Sequence, residues 1–358
     1  MRKLLLVLAL LLSACTPSVA ADLYSFGYSP KGWPSETSPN QTAFYEFIRD
    51  EMGGKGALIV GGSWRDDQLG VSDCGGATPG IFADRLAASG TYGFTNIYIA
   101  DWRLGNTLLM NCPSPESTTN SWLNTDSTGH YKTMLQNFLS TYKPKYMFLG
   151  NEINDFSDAT EYGRFVTWYN ANYADIKASS PYTKIGVIFQ YEKLAGKESL
   201  NGGAAAQWSK LTDFDLEKLD IIGLTVYPFF EYANASSIPT TYFDDLYTNL
   251  GNVHKPLVIT ESGWPSEDDF SNPSLPQWNV SEAQQVTFVG NLSKAVQNWQ
   301  VEVLGFLALY SLADPGVGGY EIFHSVSLLK DDDSRKQVYD VWIGQATRQR
   351  LANRNRRR

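Results

Sequence analysis

Two short stretches of the chain end apolar runs on a carboxylate. "LVITESGWPSE" runs from Leu257 to Glu267 and "YMFLGNEIN" from Tyr146 to Asn154. In each, β-branched, aromatic or long apolar residues lead into a glutamate, Glu261 in the first and Glu152 in the second, with turn residues around it. A single glutamate in such a place is most often an ion-pair partner or a helix cap. Two of them brought into one pocket can do chemistry, because each raises or lowers the other's proton affinity and the pair divides into an acid and an anion.

The elements that must position them follow from hydrophobic patterning. Eight apolar runs of strand length start at Leu23, Ala57, Phe94, Lys145, Lys184, Leu219, Lys255 and Val303. Each is rich in Val, Ile, Leu, Phe or Tyr, the composition of strands buried on both faces. Amphipathic helical patterns start at Thr42, Pro79, His130, Asp158, Ser281 and Ser334, with weaker ones at Ala204 and Tyr242. Asp158 with Glu161, and Ser281 with Gln284, have the spacing of a capping box. Eight strand–helix alternations predict an α/β fold, a single (β/α)8 TIM barrel; a doubly wound open sheet is the runner-up, disfavoured by the lack of a Gly-rich phosphate loop. The stretch from Gly105 to Gly129 has little periodicity and reads as an insertion over the top of the barrel. In such a barrel the C-terminal strand ends form the rim of the active site. That puts Glu152 and Glu261, at the fourth and seventh runs, on one rim. A protonated and an ionised carboxyl facing each other are what cleavage of a glycosidic bond needs.

The motifs add a resemblance. Gly-Asn-Glu at the fourth strand and Glu-Ser-Gly-Trp-Pro-Ser at the seventh resemble clan A, the 4/7 superfamily of retaining glycoside hydrolases. "ESGWPS" is most similar to family 17, the β-1,3-glucanases, and "GNEIN" to that family and to family 53, the endo-β-1,4-galactanases. The resemblance implies Glu152 as acid/base, Asn151 as partner of the substrate 2-hydroxyl and Glu261 as nucleophile. It also implies Tyr227, in "TVYPF", as a hydrogen-bond donor to the nucleophile. The specific motifs cover about a dozen residues.

Sugars present flat C–H faces that aromatic rings match. Trp64, Trp102, Trp264 and Tyr310 fall at the ends of expected strands, and Trp208, Trp278 and Phe230 in nearby loops; they read either as sugar platforms or as barrel packing. Trp168, Trp299 and Trp342 read as packing. Arg65 is placed to hold Glu261 ionised, or is a surface arginine, and Asp101 is a candidate hydroxyl binder.

Charge and leader bound the setting. The net charge of −9 disfavours a nucleic-acid partner. Three histidines, none spaced as a metal pair, give no metal site, no cofactor is called for, and there is no GxSxG motif. Residues 1–20 read as a leader: Arg2 and Lys3, an apolar stretch too short to span a bilayer, then "LSAC", similar to a bacterial lipobox with Cys15 as the lipidated residue. An ordinary signal peptide cut after "SVA" is the alternative. Residues 21–345 are the expected catalytic domain and 346–358 a basic tail. An exported chain lets Cys74 and Cys112 pair, against two free thiols. The expectation is therefore an exported monomer, membrane-bound only through a lipid anchor and otherwise secreted or periplasmic, acting on a β-linked oligo- or polysaccharide. A transglycosidase and a non-catalytic glycan-binding lipoprotein are the rivals.

Overall fold

The computed structural model describes residues 25–28, 38–52, 56–64, 90–111, 119–252, 255–267, 278–297, 299–311, 321–330, 332 and 334–345. Cys15, Arg65, Cys74, Cys112, the helix expected from Pro79, the leader and the basic tail lie outside them.

Eight parallel strands close on themselves. They are β1 (Ser25–Tyr28), β2 (Ala57–Ser63), β3 (Thr95–Asp101), β4 (Tyr146–Phe148), β5 (Lys184–Gln190), β6 (Ile221–Val226), β7 (Leu257–Ser262) and β8 (Val301–Phe306). Each pairs with the next, and β1 pairs with β8, so no edge is left open. All eight coincide with the apolar runs of the sequence. The fourth is the exception in length: β4 stops at Phe148, four residues before Glu152.

Strand alternation divides the apolar residues into two cores. One side of β2 to β8 fills the barrel: Ala57 and Ile59, Ile97 and Ile99, Tyr146 and Phe148, with Ile188, Ile221, Val258 and Val303. The other side packs outward in a much larger cluster that includes residues of the helices. Among these helices are α1 (Ser38–Met52), α2 (Thr125–Tyr142), α3 (Ala159–Ala178) and α4 (Tyr191–Ala195). Next come α5 (Trp208–Thr212), α6 (Asp244–Asn249), α7 (Glu282–Ala295) and α8 (residues 337–345). Gly223 makes room inside the barrel: a Cβ there would lie 2.9 Å from Phe148 Cε1. At the bottom, the Tyr146 hydroxyl donates to Glu302 at 2.5 Å, and Lys184 pairs with the same carboxylate.

Helix starts follow the expected signals in half. Asp158 accepts from the N–H groups of Thr160 and Glu161, and Ser281 from that of Gln284. The reciprocal half of each box is missing. Glu161 instead accepts from the Ser121 hydroxyl and the Trp122 N–H, and Gln284 accepts from the Ala235 N–H. Glu161 thus ties α3 to the segment between β3 and α2. Part of the aperiodic stretch is itself ordered, as an antiparallel pair of Arg103–Leu104 with Thr107–Leu108.

Removing the cap of α3 tests this account. Asp158→Ala is expected to lower unfolding free energy by about 1 kcal/mol, read by urea denaturation; an unchanged midpoint would mean the cap contributes nothing.

Candidate active site

Alternation decides which side chains reach the top of the barrel. Ile99 points inward, so Asp101 does as well; Ile221 points inward, and so do Gly223 and Thr225. Tyr227 follows two residues later. A register shift opposite Leu224 and Thr225 leaves Thr260 as an extra residue in β7 and brings Glu261 level with Thr225. A simple alternating strand would have aimed Glu261 differently.

The two glutamates meet at the end of β6. The Thr225 hydroxyl donates to Glu152 Oε1 at 2.6 Å, and the Tyr227 hydroxyl donates to Glu261 Oε2 at 2.8 Å. Glu261 is 8% exposed and Tyr227 2%. Burial, then the charges of Glu261 and Glu152, hold the Tyr227 phenol well above its usual pKa, so it remains a donor.

Glu152 is not a strand residue but a residue in a tight turn. Gly150 has φ 113° and Glu152 has φ 46°, ψ 44°, the left-handed region that a non-glycine residue enters at a cost. The turn is held on every side. Before it, the Leu149 N–H donates to Gly186 O and Gly150 O accepts from the Ile188 N–H. At its centre, the Arg103 guanidinium donates to Asn151 O and Glu152 O, at 2.5 and 2.7 Å through Nη2. After it, Ile153 is fully buried, and the Asn154 amide pairs with both the N–H and the C=O of Gln190. The motif "GNEIN" is thus a turn in which each residue has a place. The Asn151 side-chain oxygen has no hydrogen-bond partner among the described residues.

Asp101 sits beside this turn. It accepts from the backbone of Asn151 and of Arg103, and the Arg103 Nε is 3.9 Å from its carboxylate. Burial outweighs these contacts and pushes its carboxyl up to about 7. Glu192, which the sequence did not single out, lies beneath Tyr227. Its Oε1 accepts from the Tyr227 N–H at 2.9 Å and from the Tyr242 hydroxyl at 2.6 Å. Complete burial pushes it up to about 8.

The tryptophans expected as sugar platforms are in the core instead. Trp64, Trp102 and Trp264 are each 0% exposed. Trp102 follows the inward-facing Asp101 and so points outward, against Trp122, Phe156 and Phe165. Trp64 packs edge-on to Tyr131 and donates to Leu109 O. Trp264 packs against Phe229 and Phe288 and donates to Asn279 O. Tyr310 is buried too. Apart from Glu261, "ESGWPS" serves packing: Ser262 donates to Gly305 O, and Ser266 bonds to Ser325. Half-buried rings beside Tyr227 are Phe230 and Phe323, 6.2 and 5.0 Å from its ring, and Trp278 lies 5.9 Å from Phe229. Phe323 carried no signal in the sequence because it lies far from any strand end.

No protein-family model and no curated protein matches the chain. Solved structures do. The fold is similar to a family 39 glycoside hydrolase from the gut symbiont Bacteroides cellulosilyticus WH2, with TM-score 0.61 and 15% identity over 90% of this chain and 63% of that one. It is similar to the exo-β-1,4-mannosidase Op5Man5 from Opitutaceae bacterium strain TAV5, with TM-score 0.62 and 12% identity over 91% and 60%. A family 5, subfamily 18 glycoside hydrolase from Bifidobacterium longum, in complex with Manβ1-4GlcNAc, gives TM-score 0.62 and 13% identity over 91% and 78%. The chain thus spans less than two thirds of the length of the first two. At these identities the likeness is one of fold.

Two tests follow from the geometry. A Cβ on Gly150 would lie 2.6 Å from Ile153 Cγ2 and 2.7 Å from Trp102 Nε1 at a φ that L residues avoid. Gly150→Ala should therefore cost about 1–3 kcal/mol in chemical denaturation, and wild-type stability would mean the turn is not held as described. Glu192 supplies the second. The folded chain keeps its proton up to about pH 8, whereas an unfolded chain releases it near the ordinary glutamate value of 4.5. Unfolding therefore releases a proton in that window, and the group's contribution to stability falls as pH rises through it. Glu192→Gln, which keeps the acceptor oxygen, should gain in melting temperature relative to wild type between pH 5 and pH 8. A gap that does not change with pH would refute the assignment.

Proposed function

We propose that the chain is a retaining endo-β-glycosidase that hydrolyses a β-linked polysaccharide by double displacement. One observation carries this reading. Two hydroxyls, two residues apart at the end of β6, each hold one of two carboxylates, so that both glutamates converge on one side of the rim. The glycoside hydrolases among the solved neighbours support a glycosidic substrate.

In this mechanism Glu152 is the general acid. Thr225 donates to Oε1, which favours the acidic proton on the other oxygen, from which it passes to the glycosidic oxygen as the bond breaks. Glu261 attacks the anomeric carbon from the opposite face and forms the glycosyl-enzyme. The Tyr227 hydroxyl, kept protonated, holds the nucleophile in orientation and releases it as its charge is lost to the new bond. Glu152, now anionic, takes a proton from water, which attacks the same carbon and frees Glu261. Asn151 and Asp101 are the proposed partners of sugar hydroxyls. The half-buried rings of Phe230, Phe323 and Trp278 are offered as sugar faces in place of the core tryptophans.

The substrate follows the resemblance: "ESGWPS" to the β-1,3-glucanases of family 17, "GNEIN" to those and to the β-1,4-galactanases of family 53. We further propose that the leader directs export, with a lipid anchor at Cys15 and a secreted or periplasmic protein as the alternative.

Reducing-end release by the chain from Ala21 onward, on β-1,3-glucan and β-1,4-galactan in parallel, tests this. One polymer should be cut, with Glu261→Ala at background and Glu152→Ala lower by about 100- to 10,000-fold. The first product seen by NMR should be the β anomer. Cleavage that survives both variants would sink the assignment, and binding of either polymer without cleavage would make the chain a glycan-binding protein.

A further inference from the structure

We infer that Arg103 is a positioning residue for proton transfer: its guanidinium holds the turn that carries Glu152 and so aims the carboxyl at the bond to be cut. This rests on the assignment of Glu152 as acid/base. The sequence gives Arg103 no motif. It follows Trp102 at the start of the two-stranded pair after β3.

The contacts are unusual for a buried arginine, which is only 5% exposed. Nε donates to Asn151 O at 3.1 Å, Nη2 donates to Asn151 O and Glu152 O, and Nη1 donates to Gly105 O at 3.0 Å. Four of the five N–H bonds of the fork thus go to three backbone carbonyls. Its carboxylate partner among the described residues is Asp101, 3.9 Å from Nε. Burying a cation is costly, and a bidentate carboxylate is its usual compensation. Here the compensation comes from carbonyls on which the backbone of Glu152 depends.

Those carbonyls also explain why the turn holds. The left-handed Glu152 directs its own C=O and that of Asn151 toward the same point, and a planar fork meets both at once. The Glu152 carbonyl also accepts from the Asp155 N–H at 2.8 Å, closing the following turn. Without Arg103, two carbonyls lose a charged donor next to a residue already in a strained conformation. A relaxation of about 1 Å at a proton donor costs about 100-fold in rate. The Glu152 carboxyl would lose its aim, while Glu261, held from β6 by Tyr227, would stay.

Leaving-group dependence separates aim from general damage. A phenyl β-laminaribioside needs a proton on its leaving oxygen, whereas a 2,4-dinitrophenyl β-laminaribioside leaves unaided. The quantity to read is kcat/KM, which reports the glycosylation step. Arg103→Lys keeps the charge but offers one point in place of a fork, and Arg103→Ala removes both. Both variants should lose about 100-fold on the phenyl glycoside and less than about 5-fold on the dinitrophenyl one, and added guanidinium should restore part of the loss in Arg103→Ala. Amide exchange over residues 151–155 should rise at least about 10-fold in both, with exchange in β6 and β7 unchanged. Equal losses on the two glycosides would overturn the inference, since damage to the fold lowers both alike. If the wild type cuts neither these glycosides nor their β-1,4-galactobioside counterparts, that result counts against the proposed function, and amide exchange decides on Arg103 alone: unchanged exchange over residues 151–155 rejects it.

Discussion

Two carboxylates gathered in one poorly hydrated place repel each other and lose their water, so the fold must supply donors for both. The end of β6 does so. Thr225 and Tyr227 lie two residues apart on the same side of the chain, and each gives its hydroxyl to a different glutamate. The rest of the rim is arranged around that demand. The bulge at Thr260 brings Glu261 level with Thr225, and Glu192 braces the backbone N–H of Tyr227 from below. Closing eight strands into a ring fixes the distance between such strand ends, because no edge is free to slide.

The second glutamate is held by different means. Glu261 inherits its place from a strand, whereas Glu152 is placed by a turn that leaves β4 early. That turn has local conformations its sequence alone would not favour, and it is fixed by partners from two other parts of the chain: Arg103 after β3, and Gly186, Ile188 and the Gln190 backbone in β5. The Asn154 amide copies a strand partner by giving and accepting one bond with Gln190. The turn after β4 is therefore tied to the end of β5, and preorganisation of this kind is what proton transfer at a fixed angle requires.

The barrel was legible in the sequence because strands buried on both faces write themselves as apolar runs, and each of the eight runs contains a strand. The glutamates were legible because carboxylates interrupt those runs. What the pattern could not show is where β4 stops: "YMFLGNE" reads as one strand, and only the positive φ of Gly150 and Glu152 turns the chain. Strand-end position also misled on the tryptophans. It gives height along the barrel but not the face, and a residue directly after an inward-facing one, as Trp102 is after Asp101, points into the helix layer. Thr225, Arg103 and Glu192 were silent because their importance comes from what other strands bring to them. Phe323 was silent because a chain of 358 residues has many phenylalanines and only the closed ring brings this one near Tyr227.

With Glu152 as the proposed acid, its left-handed backbone sets activity against durability. A residue that enters this region readily, such as asparagine or glycine, relieves strain there. Chains that carry either at position 152 lose the proposed acid and gain conformational ease in the backbone. Selection for thermal endurance alone would drift toward that loss, and any lineage that keeps Glu152 keeps it against its own folding preference.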